Sequence, residues 1–80
     1  MHMTKAMYSI GKTFKEMVSL HNNEIQNHQD LIDKFISAAA KSSVPEEQTI
    51  FTLEAIRNKE HQEGHIKMRD LYQSLIDNVD

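Results

Sequence analysis

Lys41-Ser42-Ser43-Val44-Pro45-Glu46-Glu47 is the one clear interruption in the apolar periodicity of an 80-residue chain, and its reading decides the fold. Pro45 disfavours a helical conformation at Val44. Ser43 and Glu46 have the spacing of a capping box, and Glu46 with Glu47 suits the positive end of a following helix. A connection this short predicts that the helices on either side are antiparallel neighbours.

Upstream of the turn the apolar spacing is that of a heptad. With Met7 as position a, the a row is Met7, Phe14, His21, His28 and Phe35, and the d row is Met3, Ile10, Met17, Glu24, Leu31 and Ala38. Val18, Ile25, Ile32 and Ala39 add an adjoining e row, so the stripe is wide enough for a bundle. Thr13-Phe14-Lys15-Glu16 is a second capping box, and Gly11 weakens a helix running through residues 4–12. Residues 1–12 therefore read as flexible or docked on a partner, with a helix at about 13–41, although a start near Lys5 fits the pattern equally well.

Downstream of the turn, at about 42–45, the sequence predicts a second helix at about 46–78. Ile50, Leu53 and Ile56 share one face with Phe51 beside them, and the nine residues from Arg57 to His65 then include no Ala, Val, Ile, Leu, Met, Phe, Tyr or Trp. The stripe resumes with Ile66, Met68, Leu71, Tyr72, Leu75, Ile76 and Val79. Gly64 costs roughly 1 kcal/mol against Ala in a helix, but Lys59, Glu63 and Lys67 form an i, i+4 ladder across it, which predicts one helix rather than two. The expected fold is an all-α antiparallel helical hairpin of two long helices, forming one domain and pairing into a four-helix bundle.

Composition excludes several functions. The chain has no cysteine, which removes disulfides, thiolate metal sites and cysteine nucleophiles, and points to a reducing compartment. A net charge of -3 with scattered Lys and Arg argues against nucleic acid. No apolar run is long enough to span a bilayer and no secretory leader opens the chain, so a soluble, cytoplasmic protein is expected. Met1-His2-Met3 reads as a cloning remnant ahead of a start at Met3, and His2 carries no weight as a ligand. There is no nucleophile elbow, no glycine-rich phosphate loop and little room for an enclosed pocket, so no enzyme is expected. His61-Gln62-Glu63-Gly64-His65 has two histidines at zincin spacing, but its Glu comes one residue late.

The heptad rows turn polar at the middle of each helical region. A fold-back at Ser43-Val44 brings together positions whose numbers sum to about 87, so that His21 meets His65 or Ile66, Glu24 meets Glu63, and His28 meets Lys59 or Glu60. Glu24 with His28, and His61 with His65, are i, i+4 pairs of the kind that hold zinc or paired iron in helical bundles. His21, Glu24, His28, His61 and His65 are thus the candidate metal ligands. Two readings without metal stand beside this one: polar contacts that set register, as buried polar residues do in coiled coils, and an exposed polar interval around Gly64. Histidines buried at a seam also predict assembly that weakens below about pH 6.

His21-Asn22-Asn23-Glu24-Ile25 resembles the glutamate-bearing part of the first helix of ferritin-like proteins, and His61 with His65 resembles a haemerythrin-type His-x-x-x-His pair. The ferritin-like second helix implies Glu-x-x-His, whereas Asn58 precedes His61 and Gln62 precedes His65 here. The resemblance covers about a quarter of the chain and implies no activity.

Met7, Ile10, Phe14, Met17, Val18, Ile25, Ile32, Leu53, Met68, Tyr72 and Ile76 are the candidate partner-binding residues. A lone hairpin buries one side of each helix, which is expected to leave Val18, Ile25, Ile32, Leu53 and Ile76 wet and able to drive self-association or capture of a partner helix. The expected function is a non-catalytic protein–protein interaction module, a homo-oligomer or a protein that completes its core with a partner, without a cofactor. In plan it is similar to the short acidic hairpins that act as secretion co-chaperones or small regulatory proteins. The alternative is a half-bundle that binds zinc or iron.

Overall fold

The computed structural model describes residues 5–79, which form two helices, α1 (Lys5–Lys41) and α2 (Pro45–Val79), joined by three residues. The helices pack against each other along their length as a rod whose Cα atoms extend 63 × 13 × 12 Å. Met3 and His2 lie outside the described residues, as does the side chain of Val79.

The turn is closed by Ser42, one residue before the expected cap. Its hydroxyl accepts from the Val44 amide at 3.2 Å and donates to the Glu47 carboxylate at 2.9 Å, while its carbonyl accepts from the Gln48 side chain at 2.6 Å. Pro45 occupies the first helical position, where its missing N–H is no loss. Ser43 and Glu46 are exposed, and the box drawn from them does not form.

Thr13 does not begin a helix either. Its hydroxyl donates back to the Ser9 carbonyl at 3.0 Å, as a residue inside a helix does, and α1 runs from Lys5 through Gly11. The segment expected to be flexible or partner-docked is therefore helical from Lys5 onward. α2 likewise passes through Gly64, as the sequence predicted, although the Lys59, Glu63 and Lys67 ladder does not pair: the ion pairs among the described residues are Glu24 with His28, Glu54 with Arg57, and Arg69 with Asp70.

The seam follows an uninterrupted alternation of four and three residues on both helices. On α1 it reads Met7, Gly11, Phe14, Val18, His21, Ile25, His28, Ile32, Phe35, Ala39, Ser42, all half-buried or buried. On α2 it reads Phe51, Ala55, Asn58, Gln62, His65, Arg69, Tyr72, Ile76. Aromatic pairs close both ends: Phe14 lies 5.7 Å from Tyr72 and Phe35 lies 6.3 Å from Phe51, centroid to centroid. Such pairs contribute about 0.5–1.5 kcal/mol beyond the area they bury.

This arrangement corrects two expectations. The apolar face Ile50, Leu53 and Ile56 does not face α1 but solvent, and Phe51, one residue along and about 100° round the helix, takes the seam. Of the residues expected to stay wet, Ile32 and Ile76 are buried at 7% and 5% exposure, Val18 and Ile25 are half-buried, and Leu53 alone is open at 59%. The cause is that α1 uses its a and e rows rather than a and d. Ile10 and Leu31 of the d row are left on the surface, with Tyr8, Leu20, Ile36, Met68 and Leu71.

Candidate functional site

The middle of the rod is polar on both sides of the seam, and the register that puts it there is one short of the expected sum. His21 faces His65, with their Nδ1 atoms 2.8 Å apart and ring centroids 5.1 Å apart. His28 faces Asn58 rather than Lys59 or Glu60, its Nδ1 lying 3.0 Å from the Asn58 side-chain oxygen. Glu24 meets His28 and His65 rather than the exposed Glu63.

The hydrogen bonds crossing between the helices collect at this waist. Gln62 donates to the main-chain carbonyl of Ile25 at 3.2 Å and to the side-chain oxygen of Gln29 at 2.9 Å. Arg69 donates to the Asn22 side chain at 3.2 Å. Asn58 and Gln62 are buried at 8% and 9% exposure, and no buried side-chain nitrogen or oxygen among the described residues lacks a partner. A buried amide left unmatched costs about 1–3 kcal/mol, so this pairing fixes both the axial register and the rotation of α2.

The imidazoles form a stack. The His28 ring lies between His61, at 5.7 Å and 16°, and His65, at 5.5 Å and 25°, while His21 stacks on Tyr72 at 5.9 Å. Glu24, His28 and His65, all half-buried, each offer a ligand atom within 4.8 Å of the others. Of the five candidate ligands, three therefore converge, His21 stands behind His65, and the exposed His61 lies against the outer face of His28.

Sequence reasoning passed over Asn58, Gln62 and Arg69: the two amides registered only as missing carboxylates within a polar interval, and Arg69, beyond that interval, not at all. The signal was present in the alternation of four and three that links Phe51 to Ile76 through them.

These features define a class: an all-α antiparallel hairpin with aromatic ends and a polar, histidine-bearing waist. No family model matches the chain, and neither a curated protein nor a solved structure matches it. None of the helices among the described residues is long and apolar enough to cross a membrane.

Proposed function

We propose that the chain is a non-catalytic, self-associating helical module whose partner is a second copy of itself, the two hairpins together making a four-helix bundle. The observation that carries this is the placement of polar and apolar groups along one flank. Ile10, Met17, Leu20 and Leu31 of α1 and Met68, Leu71 and Leu75 of α2 lie on the side of the hairpin toward which Glu24 and His61 also point, by their heptad positions. The polar groups stand at the centre of that flank, since the midpoints of α1 and α2 are Asn23 and Gln62. A two-fold axis parallel to the rod then sets waist on waist and the apolar open end, from Ile10 to Leu20 and from Met68 to Leu75, on its own copy, which is the self-complementarity an isologous dimer requires.

Surface area argues the same way. The hairpin exposes 6045 Å², against about 5,000 Å² for a compact monomer of its mass. The excess of about 1,000 Å² is close to the ~800 Å² that each partner buries in a standard interface. Roles as an adaptor, assembly factor or chaperone-like subunit are consistent with this module.

Sedimentation equilibrium tests the reading. The wild type is expected to be a dimer at micromolar concentration, and the pair Leu31→Glu with Met68→Glu a monomer that keeps its helical circular dichroism. A wild-type monomer across that range, or a dimer indifferent to both charges, would remove this face as the interface.

A further inference from the structure

We propose that Glu24, His28 and His65 form a binding site for a divalent transition-metal ion of the zinc type, with Asn58 and His21 as its outer shell. The site lies within one hairpin and does not rest on self-association.

Hydrogen-bond direction fixes the His28 tautomer. The Asn58 amide nitrogen donates to the Glu54 carbonyl at 2.8 Å, which turns the side-chain oxygen toward His28. That oxygen can only accept, so His28 Nδ1 must carry the proton, and in the neutral ring Nε2 is left as a bare lone pair. Yet His28 Nε2 faces the Glu24 carboxylate oxygen at 4.0 Å. Two acceptors thus look at each other across a gap that suits a cation.

His65 is prepared in the same way. Of the two Nδ1 atoms 2.8 Å apart, one must donate; with His65 as donor and His21 as acceptor, His65 Nε2 is also a free lone pair. A metal-bound imidazole ordinarily gives its other N–H to an acceptor that fixes tautomer and ring orientation, and Asn58 and His21 stand where such acceptors belong.

The donor set and the spacing agree with the assignment. Two imidazoles and one carboxylate are the ligands of many three-residue zinc sites, which leave a fourth position for water or another ligand. In a tetrahedral site with bonds of about 2.0–2.1 Å, ligand atoms stand roughly 3.3 Å apart. The present atoms lie within 4.8 Å of one another, and the Glu24 side chain, 41% exposed, has the freedom to close that difference. His61 stacks on His28 with ring centroids 5.7 Å apart and lies outside this ligand set.

Titration of the purified full chain with Zn²⁺, followed by calorimetry, with Co²⁺ absorption as a report on ligand geometry, tests the assignment. One ion per chain is expected, with a tetrahedral Co²⁺ band. Glu24→Gln and the pair His28→Ala with His65→Ala should each weaken Zn²⁺ by more than the roughly 10- to 100-fold that an outer-shell change costs. Asn58→Leu should fall inside that 10- to 100-fold range, and His2→Ala should leave affinity unchanged. Glu24→Gln keeps the size and helix position of the residue, so its result stands even if the double histidine variant loses helical structure. Wild-type affinity in Glu24→Gln, an octahedral Co²⁺ spectrum, or loss of binding in His2→Ala would each overturn the site.

Discussion

Gln62 of α2 reaches across the seam to the main-chain carbonyl of Ile25 in α1, at 3.2 Å, so a side chain of one helix is tied to the backbone of the other. That carbonyl already serves the helix ladder, so the contact adds register more than stability. Gln62→Leu should fill the same space beside Ile25 and leave stability within about 1 kcal/mol of wild type, as apolar replacements of buried polar groups commonly do. Gln62→Ala, losing both volume and bond, should cost about 1–3 kcal/mol. Urea unfolding at one protein concentration measures both, and equal losses would show that the hydrogen bond, not the volume, matters.

The turn makes a prediction that separates adjacent serines. Ser42→Ala removes the bonds to the Val44 amide and the Glu47 carboxylate, and is expected to lower stability by about 0.5–2 kcal/mol, as the loss of a helix cap does. Ser43→Ala, at an exposed position, should stay within about 0.5 kcal/mol of wild type. Thermal melts of the two variants settle the order, and a larger effect at Ser43 would restore the capping box with Glu46.

Gly64 sits in the interior of α2 with nothing within 4 Å of where a Cβ would stand, and its φ is not positive. Gly64→Ala is therefore expected to stabilise the protein by up to about 1 kcal/mol. For a domain of this size that raises the melting temperature by roughly 4–8 °C. A fall in Tm would mean that the glycine serves a contact outside the hairpin.

The phase of α2 is tested by two aliphatic residues that look alike in sequence. Ile32→Val trims a buried side chain opposite Ala55 and should cost about 0.5–1.5 kcal/mol. Leu53→Ala trims a much larger group, but one that points away from α1, and should change stability by no more than about 0.5 kcal/mol. Chemical denaturation gives both values, and the reverse order would put Leu53 in the seam.

Much of the candidate site was legible before the fold. The polar intervals around His21–His28 and Asn58–His65 stood equidistant from the turn, so opposition followed from chain length alone, and His21 with His65 was found by that count. Glu24 as a companion of His28 followed from helical spacing. What was missed lay on α2. Asn58 and Gln62 look like gaps in a ligand pattern until the partners across the seam are known, because an amide's value depends on the donors and acceptors it meets.

The sequence by itself determined two long helices, the break at Ser42–Val44, their antiparallel packing and the opposition of the polar waists, since each depends on local spacing and on one proline. Only the tertiary structure decided how α2 is rotated. Taken alone, α2 has the more apolar face in Ile50, Leu53 and Ile56, yet it turns that face about 160° away to present Phe51, Ala55, Asn58, Gln62 and His65. The reason is physical: His21, Ile25 and His28 offer ring nitrogens and a carbonyl that only this rotation supplies with partners, and the aromatic pairs at both ends close in the same phase. No helix reveals that preference until the other lies beside it.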